Sequence, residues 1–207
     1  MSYDRQLERW TVHHRVGWLN PVFEGLSWIG GQGLVWLAIA AVLAVWWRRP
    51  PLFLQVAIAA FAGQLISYGL KQWVGRVRPN DVYASPKPLV HAPHDGSFPS
   101  GHATMSFACA TILAFNAPRA APAFFLLAAA IAWSRVYVGV HYPLDVLGGA
   151  VLGVGIALAL RFLARRWRWR AGRNSASSTG PTSTRPSAAR GRPEAGSADR
   201  EARRPGT

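Results

Sequence analysis

Long apolar stretches alternate with short basic or proline-containing connectors between residues 30 and 164, whereas both ends of the chain are polar. A helix needs about 20 mostly apolar residues to cross the hydrocarbon core of a bilayer, and fewer where a polar site shortens the path. The pattern therefore predicts an all-α fold, a polytopic membrane helical bundle. The last span carries the pair Gly149 and Gly153, which close packing inside the bundle explains better than dimerisation. The candidate spans are residues 30–47, 52–74, 101–117, 121–138 and 144–164.

The segment from Val16 to Ile29 leaves the number of spans open. It carries Asn20, Pro21 and Glu24, and it is too short and too polar to cross a bilayer comfortably. We interpret it as an interfacial or re-entrant helix, which gives five spans and an N-terminus outside the cell. If the segment does cross, there are six spans and the N-terminus is cytoplasmic.

The composition changes again after the last span and predicts three parts. Residues 1–29 form a polar, interfacial N-terminal segment, residues 30–170 a transmembrane domain and residues 171–207 a basic tail. The tail consists mostly of Ser, Ala, Gly, Pro and Arg, so it has too little apolar surface to offset the entropy lost on folding. We expect the tail to be disordered. A regulatory or lipid-binding role for it stays open beside that of a solvated tail.

Basic residues cluster in the connectors and in the tail, and they give the chain a net charge of +14. The clusters are residues 48–49, Arg119 and the arginines within 165–170. If the spans alternate in direction, these clusters share one side, which the positive-inside rule makes cytoplasmic. We predict a multi-pass protein of the cell membrane, with residues 75–100 and 139–143 on the extracytoplasmic side and the tail in the cytoplasm. Because this topology explains the arginines, we expect no nucleic-acid partner.

Three clusters of chemically capable residues lie on the predicted outer side. Each has an ordinary explanation when it is taken alone. Cations at a helix end can snorkel to the interface, a Pro-Ser-Gly sequence can be a turn, and a carboxylate in a first helical turn can be a cap. The clusters are Lys71, Arg78 and Pro79; Pro99, Ser100, Gly101 and His102; and Ser134, Arg135, His141 and Asp145.

The combination of these clusters indicates an anion site. Ionisable groups are expensive in a membrane and are usually functional there. Lys71, Arg78 and Arg135 would repel one another strongly without an anion between them, and a phosphate suits two arginines and a lysine. A helix that begins at Ser100 and Gly101 would add free backbone N–H groups to the same site.

The histidines suggest how such a site could act on phosphorus. Asp145 follows His141 by four residues, so it can hold one ring nitrogen and leave the other free to attack. His102 could protonate the departing oxygen, although spacing alone leaves His102 open as the nucleophile. No Cys, His or carboxylate cluster has the spacing of metal ligands, and we expect neither a metal nor another cofactor.

In order and spacing, these eleven positions resemble the three motifs of the type 2 phosphatidic acid phosphatase (PAP2) superfamily, over roughly residues 52–164. The resemblance implies a helical catalytic bundle and metal-independent hydrolysis of phosphomonoesters or diphosphates at the outer membrane face. It implies His141 as nucleophile, Asp145 as the residue that orients it, and His102 as general acid. The implied phosphate-binding residues are Lys71, Arg78, Ser100, Gly101 and Arg135.

The resemblance leaves the substrate open. Soluble haloperoxidases of the superfamily hold vanadate with the same motifs, but the apolar spans favour a phosphatase that acts on a membrane lipid. We expect a lipid phosphate or diphosphate as substrate and favour polyprenyl (undecaprenyl) diphosphate over phosphatidylglycerophosphate, phosphatidic acid or a phosphorylated polyprenyl sugar. A non-catalytic lipid-binding scaffold is the alternative from another class, and the intact set of His102, His141 and Asp145 argues against it. Membrane lipids are the other expected partners, and the oligomeric state stays open.

Overall fold

The computed structural model describes residues 3–31 and 33–178, and within these ranges all regular structure is helical. Residues 1–168 form one compact unit, which contains the features discussed below. Short 3₁₀ turns precede α2 and α7. The helices are α1 (Tyr3–His13), α2 (Asn20–Gly31), α3 (Leu34–Trp46), α4 (Pro50–Val74), α5 (Pro79–Val82), α6 (Gly101–Asn116), α7 (Ala121–Tyr137) and α8 (Pro143–Ser178).

Each of the five predicted spans coincides with one of the helices α3, α4, α6, α7 and α8. Three helical stretches are long and apolar enough to cross a bilayer, namely Pro50–Val82, Pro118–Tyr137 and Pro143–Arg166. Gly17–Gly31 and Leu34–Trp46 meet that criterion together, but they are bent by 66° at their junction. The prediction of an all-α membrane bundle is therefore confirmed, whereas the exact number of spans stays a prediction.

Helix α6 is the central helix of the bundle and packs against α2, α3, α4 and α7. Its 16 residues extend about 24 Å, which is less than the thickness of a bilayer core. Its three hydroxyl side chains, those of Thr104, Ser106 and Thr111, are buried and bonded within the protein. Thr104 Oγ1 donates to the Ser100 carbonyl at 3.0 Å, and Ser106 Oγ accepts from Trp36 Nε1 at 3.1 Å. This helix is thus shielded by protein, which explains why it can be short and carry hydroxyl groups.

Helix α8 approaches α6 closely through Gly149 and Gly153. A Cβ at Gly149 would lie 2.6 Å from the Ser100 carbonyl oxygen, and one at Gly153 would lie 2.9 Å from the backbone nitrogen of Ala108. No real Cβ tolerates such distances, so only glycine permits this helix contact. The glycine pair serves packing inside the bundle, as the sequence suggested.

The N-terminal segment is built into the unit at the end where α7 finishes. Helix α1 packs on α7, and Arg15 Nε donates to the Tyr137 carbonyl at 2.8 Å. The Phe23 ring of α2 stacks on the Tyr137 ring with centroids 4.0 Å apart. Residues 1–29 were predicted only as a polar, interfacial segment, and the structure adds that residues 3–29 pack on the bundle at this end.

The predicted tail begins at residue 171, whereas α8 continues to Ser178. Residues 179–207 lie outside the described ranges, and they make up most of the tail that was predicted to be disordered. The boundaries of the three predicted parts stay predictions.

Candidate active site

Four helix ends meet at one end of the bundle and hold the predicted site. Helix α4 ends at Gly75, which adopts a left-handed conformation with φ of 59° and donates its N–H to the Lys71 carbonyl. Helix α7 ends just beyond Arg135, and the following loop folds back so that the backbone N–H of His141 donates to the Arg135 carbonyl at 3.2 Å. Helices α6 and α8 begin here, and the Ser100 N–H donates to the Asp145 carbonyl at 2.9 Å. The fold therefore brings the three sequence clusters together.

The two ring nitrogens of His141 face groups of opposite charge. Nε2 lies 3.3 Å from Nη1 of Arg78, and Nδ1 lies 3.5 Å from Oδ2 of Asp145. The contact with Asp145 is longer than a good hydrogen bond, as is common for catalytic pairs before the reaction begins. The side chain of His141 is 2% exposed. One nitrogen is thus held near a carboxylate, while the other points to the cations.

The surroundings of His141 keep its ring neutral. Burial, and then the positive charges of Arg78, Arg135 and Lys71, hold the pKa of His141 well below its ordinary value. A neutral imidazole has a free lone pair on one nitrogen, and the neighbouring carboxylate favours the tautomer with its proton on Nδ1. Nε2 then carries the free lone pair.

Two groups fix Asp145 in the first turn of α8. Its Oδ1 pairs with Arg76 Nη1 at 2.5 Å, and its Oδ2 accepts the backbone N–H of Tyr142 at 2.9 Å. Arg76 also pairs with Asp4 of α1, and Asp4 Oδ1 accepts the N–H of Leu144 at 2.8 Å. Sequence reasoning missed Arg76 and Asp4. The only signal was an additional arginine between the two cations of the first motif; nothing near Asp4 indicates its partner, 72 residues away.

A carboxylate that the motifs do not include lies between two of the cations. Asp95 accepts from Lys71 Nζ at 2.8 Å through Oδ2 and from Arg78 Nη2 at 2.6 Å through Oδ1. Burial opposes ionisation of Asp95, but the hydrogen bonds and charges of Lys71 and Arg78 hold its pKa below the ordinary value. Its two oxygens contact the cations as two oxygens of a phosphate would.

Helix α2 covers the other side of the site through Ser27. The Ser27 hydroxyl accepts from Arg135 Nη1, and the Ser27 carbonyl lies 3.2 Å from Nε2 of His102. Within the described part of the chain, His102 has no carboxylate partner. The Asp145 carboxylate beside its ring therefore distinguishes His141 from His102.

Several buried polar atoms around His141 have no hydrogen-bond partner among the residues that the structure describes. They include Ser100 Oγ and Arg135 Nε. Buried polar groups are normally bonded, so a cluster of unbonded ones indicates a place where a ligand binds. Helix α6 begins at Gly101, and its first backbone N–H groups point out of the helix towards the same region.

Two motif residues have local roles. The Ser134 hydroxyl donates to the Ile131 carbonyl at 2.6 Å within α7, and Pro79 is buried at the first position of α5. Neither donates to a position that a phosphate could occupy. In residues 3–31 and 33–178, no three His, Cys, Asp or Glu side chains cluster as metal ligands do.

An open cavity of about 690 Å³ lies beside the cations, and its lining includes Tyr68, Lys71, Arg78 and Asp95. His141 does not line this cavity. Of the lining residues, Arg78 links the cavity to the histidine, since its Nη1 lies 3.3 Å from Nε2 of His141.

Comparisons with known proteins identify the family. Residues 52–171 match the PAP2 superfamily. Phosphatidylglycerophosphatase B of Bacillus subtilis is 32% identical over 74% of this chain and 79% of its own length. The undecaprenyl-diphosphatase of Sulfolobus acidocaldarius is 28% identical over 76% of each chain. The crystal structure of a transmembrane PAP2 type phosphatidylglycerolphosphate phosphatase from Bacillus subtilis superposes with a TM-score of 0.64 at 28% identity, covering 79% of this chain and 85% of that one. With its apolar helices and these membrane relatives, the chain belongs to the PAP2 superfamily as a PAP2-type membrane phosphatase.

Proposed function

We propose that this protein removes the terminal phosphate of a lipid phosphate or diphosphate at the outer membrane face, through a phosphohistidine on His141 and without a metal ion. The observation that carries the proposal is the environment of His141, with Asp145 beside Nδ1 and Arg78 beside Nε2. A nucleophilic histidine needs a group that stabilises its positive charge and a shell that stabilises the transferred phosphoryl group. Both surround this one ring.

In the first step, Nε2 of His141 attacks the terminal phosphorus and the bond to the leaving oxygen breaks. Lys71, Arg78 and Arg135 stabilise the charge on the phosphoryl oxygens, together with the N–H groups at the start of α6. His102 gives a proton to the leaving oxygen. Asp145 stabilises the imidazolium that forms, and Arg76 holds Asp145 in place.

In the second step, water attacks the phosphorus of the phosphohistidine. His102, now without its proton, accepts one from the water, and the bond between phosphorus and Nε2 breaks. Inorganic phosphate leaves and His141 returns to its neutral form. Because three side chains supply the positive charge, neither step requires a metal ion.

The same geometry supports His141 over His102 as the nucleophile. Nε2 of His102 lies against the carbonyl of Ser27 rather than beside a carboxylate. The Ser27 carbonyl can accept a hydrogen bond from a protonated imidazole, which suits a group that exchanges a proton with a neighbouring oxygen, but it supplies no negative charge to balance a phosphohistidine. The two histidines thus suit different roles.

Charge matching supports a polyprenyl diphosphate as the preferred substrate. Once Asp95 is displaced, Lys71, Arg78 and Arg135 present three positive charges, which a diphosphate ester balances better than a phosphomonoester with at most two negative charges. The matched relatives are named for phosphatidylglycerophosphate and for undecaprenyl diphosphate. Phosphatidylglycerophosphate, phosphatidic acid and phosphorylated polyprenyl sugars are the alternatives.

The test is phosphate release by detergent-purified protein from each of these four lipids, with EDTA present. We expect release that survives EDTA, is fastest with the diphosphate, and falls to background in His141→Ala. His91→Ala is the matched control, because His91 is an exposed histidine of the loop before α6, and it should keep the parent rate. Release that requires an added metal or survives in His141→Ala would contradict the mechanism, and no release from any lipid would favour the scaffold.

A further inference from the structure

A second cavity, of about 680 Å³, lies at the other end of the bundle. Its wall is formed by the start of α4, the end of α6 and the part of α8 near Arg161. The catalytic groups lie at the opposite ends of the same helices. Between Leu52 in this cavity and Lys71 in the site, α4 rises roughly 28 Å, close to the thickness of a bilayer core. The two cavities therefore belong to opposite membrane interfaces.

Four arginines line this second cavity, and no acidic side chain does. They are Arg48, Arg49, Arg161 and Arg165. Throughout the part of the chain that the structure describes, none of the four pairs with a carboxylate. Guanidinium groups gathered in one recess repel one another, and an anion bound among them relieves that repulsion.

Part of the wall of the cavity is apolar, and one of the four arginines stacks on it. Leu52 and Ile112 are buried members of the core, and Phe115 lies under the guanidinium of Arg161, whose central carbon is 3.9 Å from the ring centroid. This stacking orients the cation towards the cavity. A recess with arginines and an apolar wall at a membrane interface suits a ligand with an anionic head and an apolar chain.

We propose that this cavity, which we call the arginine cavity, binds the phosphate group of an anionic phospholipid in the leaflet opposite the catalytic site. The phosphate would lie among Arg48, Arg49, Arg161 and Arg165, with an acyl chain along Leu52 and Ile112. Free inorganic phosphate offers the same charge without the chain. The proposal depends on the membrane placement of the helices and does not require the catalytic mechanism.

The test measures the binding of phosphatidylglycerol to the detergent-purified full chain by native mass spectrometry, with phosphatidylcholine of the same acyl chains as the neutral comparison. Phosphatidylglycerol is a phosphodiester and has no terminal phosphate to release. In Arg161→Gln/Arg165→Gln we expect binding at least about tenfold weaker, since each arginine near an anionic headgroup contributes about fivefold. Arg119→Gln is the matched control, because Arg119 is exposed and precedes α7 without lining the cavity, and it should bind like the parent.

A second double variant, Arg48→Gln/Arg49→Gln, should weaken the binding of phosphatidylglycerol as much as the first does. The melting temperatures of both double variants should lie within a few degrees of the parent's. Equal binding by the parent and both pairs, or an equal loss in Arg119→Gln, would overturn the proposal. So would loss in Arg78→Gln alone, which would place the lipid in the catalytic site. Inorganic phosphate alone should not bind in the arginine cavity at millimolar concentration; binding that depends on Arg161 and Arg165 would assign the cavity to free phosphate.

Discussion

The side chain of Asp95 lies where a substrate phosphate is expected to bind. It bonds Lys71 and Arg78 at 2.8 and 2.6 Å, and its lowered pKa keeps it negative throughout the neutral range. Substrate must therefore displace a charged carboxylate to reach both cations. The same carboxylate keeps Lys71 and Arg78 from facing each other without an anion.

Replacement of Asp95 by Asn should strengthen the binding of inorganic phosphate as a competitive inhibitor. The inhibition constant should fall by about five- to tenfold, because removal of one partly buried competing charge is worth on the order of 1 kcal/mol. Steady-state inhibition by phosphate measures this effect. Asp81→Asn is the control, since Asp81 lines the same cavity without bonding either cation. Weaker phosphate inhibition in Asp95→Asn would show instead that Asp95 positions the cations for the substrate.

The motif residues could be predicted from the sequence because ionisable groups stand out where the surrounding residues are apolar. The residues that support them could not. Asp95 lies in a polar loop, where carboxylates are ordinary, and Ser27 is one hydroxyl in an ambiguous segment. Arg76 and Asp4 pair across 72 residues, and no local pattern specifies such a contact.

At the scale of the elements, hydropathy located the five main helices because each has a long apolar run. Helix α1 was missed as a helix because its polar residues mask a buried face that includes Asp4, Glu8 and Val12. Asp4 can be buried because Arg76, a basic residue of a later segment, pairs with it. Single-sequence periodicity does not show such partners.

The packing of α8 on α6 makes a prediction that separates two nearby glycines. A Cβ at Gly153 would meet the Ala108 nitrogen at 2.9 Å, whereas one at Gly155 would meet nothing within 4 Å. Gly153→Ala should lower stability by about 1–3 kcal/mol through overpacking, and Gly155→Ala should leave it unchanged or raise it by up to about 1 kcal/mol. Thermal melting in detergent measures both. Equal melting temperatures for the two variants would contradict this helix contact.

At the scale of the whole molecule, the bundle has two chemically different ends. One end holds the candidate active site, and the other holds the basic connectors and the arginine cavity. The motif spacing and the positions of the basic residues predicted this polarity, because antiparallel helices place alternate connectors on opposite ends. The span count could not be fixed in this way, since α2 and α3 meet at a sharp bend that hydropathy does not reveal.

Labelling of introduced cysteines in intact cells tests the orientation. The native Cys109 is buried and should not react. A membrane-impermeant maleimide should label Lys87→Cys, in the loop before α6, because that loop is predicted to face outwards. Arg119→Cys should react only after the membrane is opened. The reverse pattern would place the active site in the cytoplasm.

Formation of a phosphorylated His141 tests the proposed chemistry most directly. An activated ester such as p-nitrophenyl phosphate releases its leaving group without a proton from an acid. It should therefore still phosphorylate His141 in His102→Ala. Because that variant lacks the base that activates water in the second step, the phosphohistidine should accumulate. After rapid mixing and an alkaline quench, mass spectrometry should find one phosphoryl group on the peptide that contains His141, and none in His102→Ala/His141→Ala. Nitrophenol release without any phosphorylated peptide, or a phosphoryl group on His102 in the parent protein, would contradict the assignment of His141 as the nucleophile.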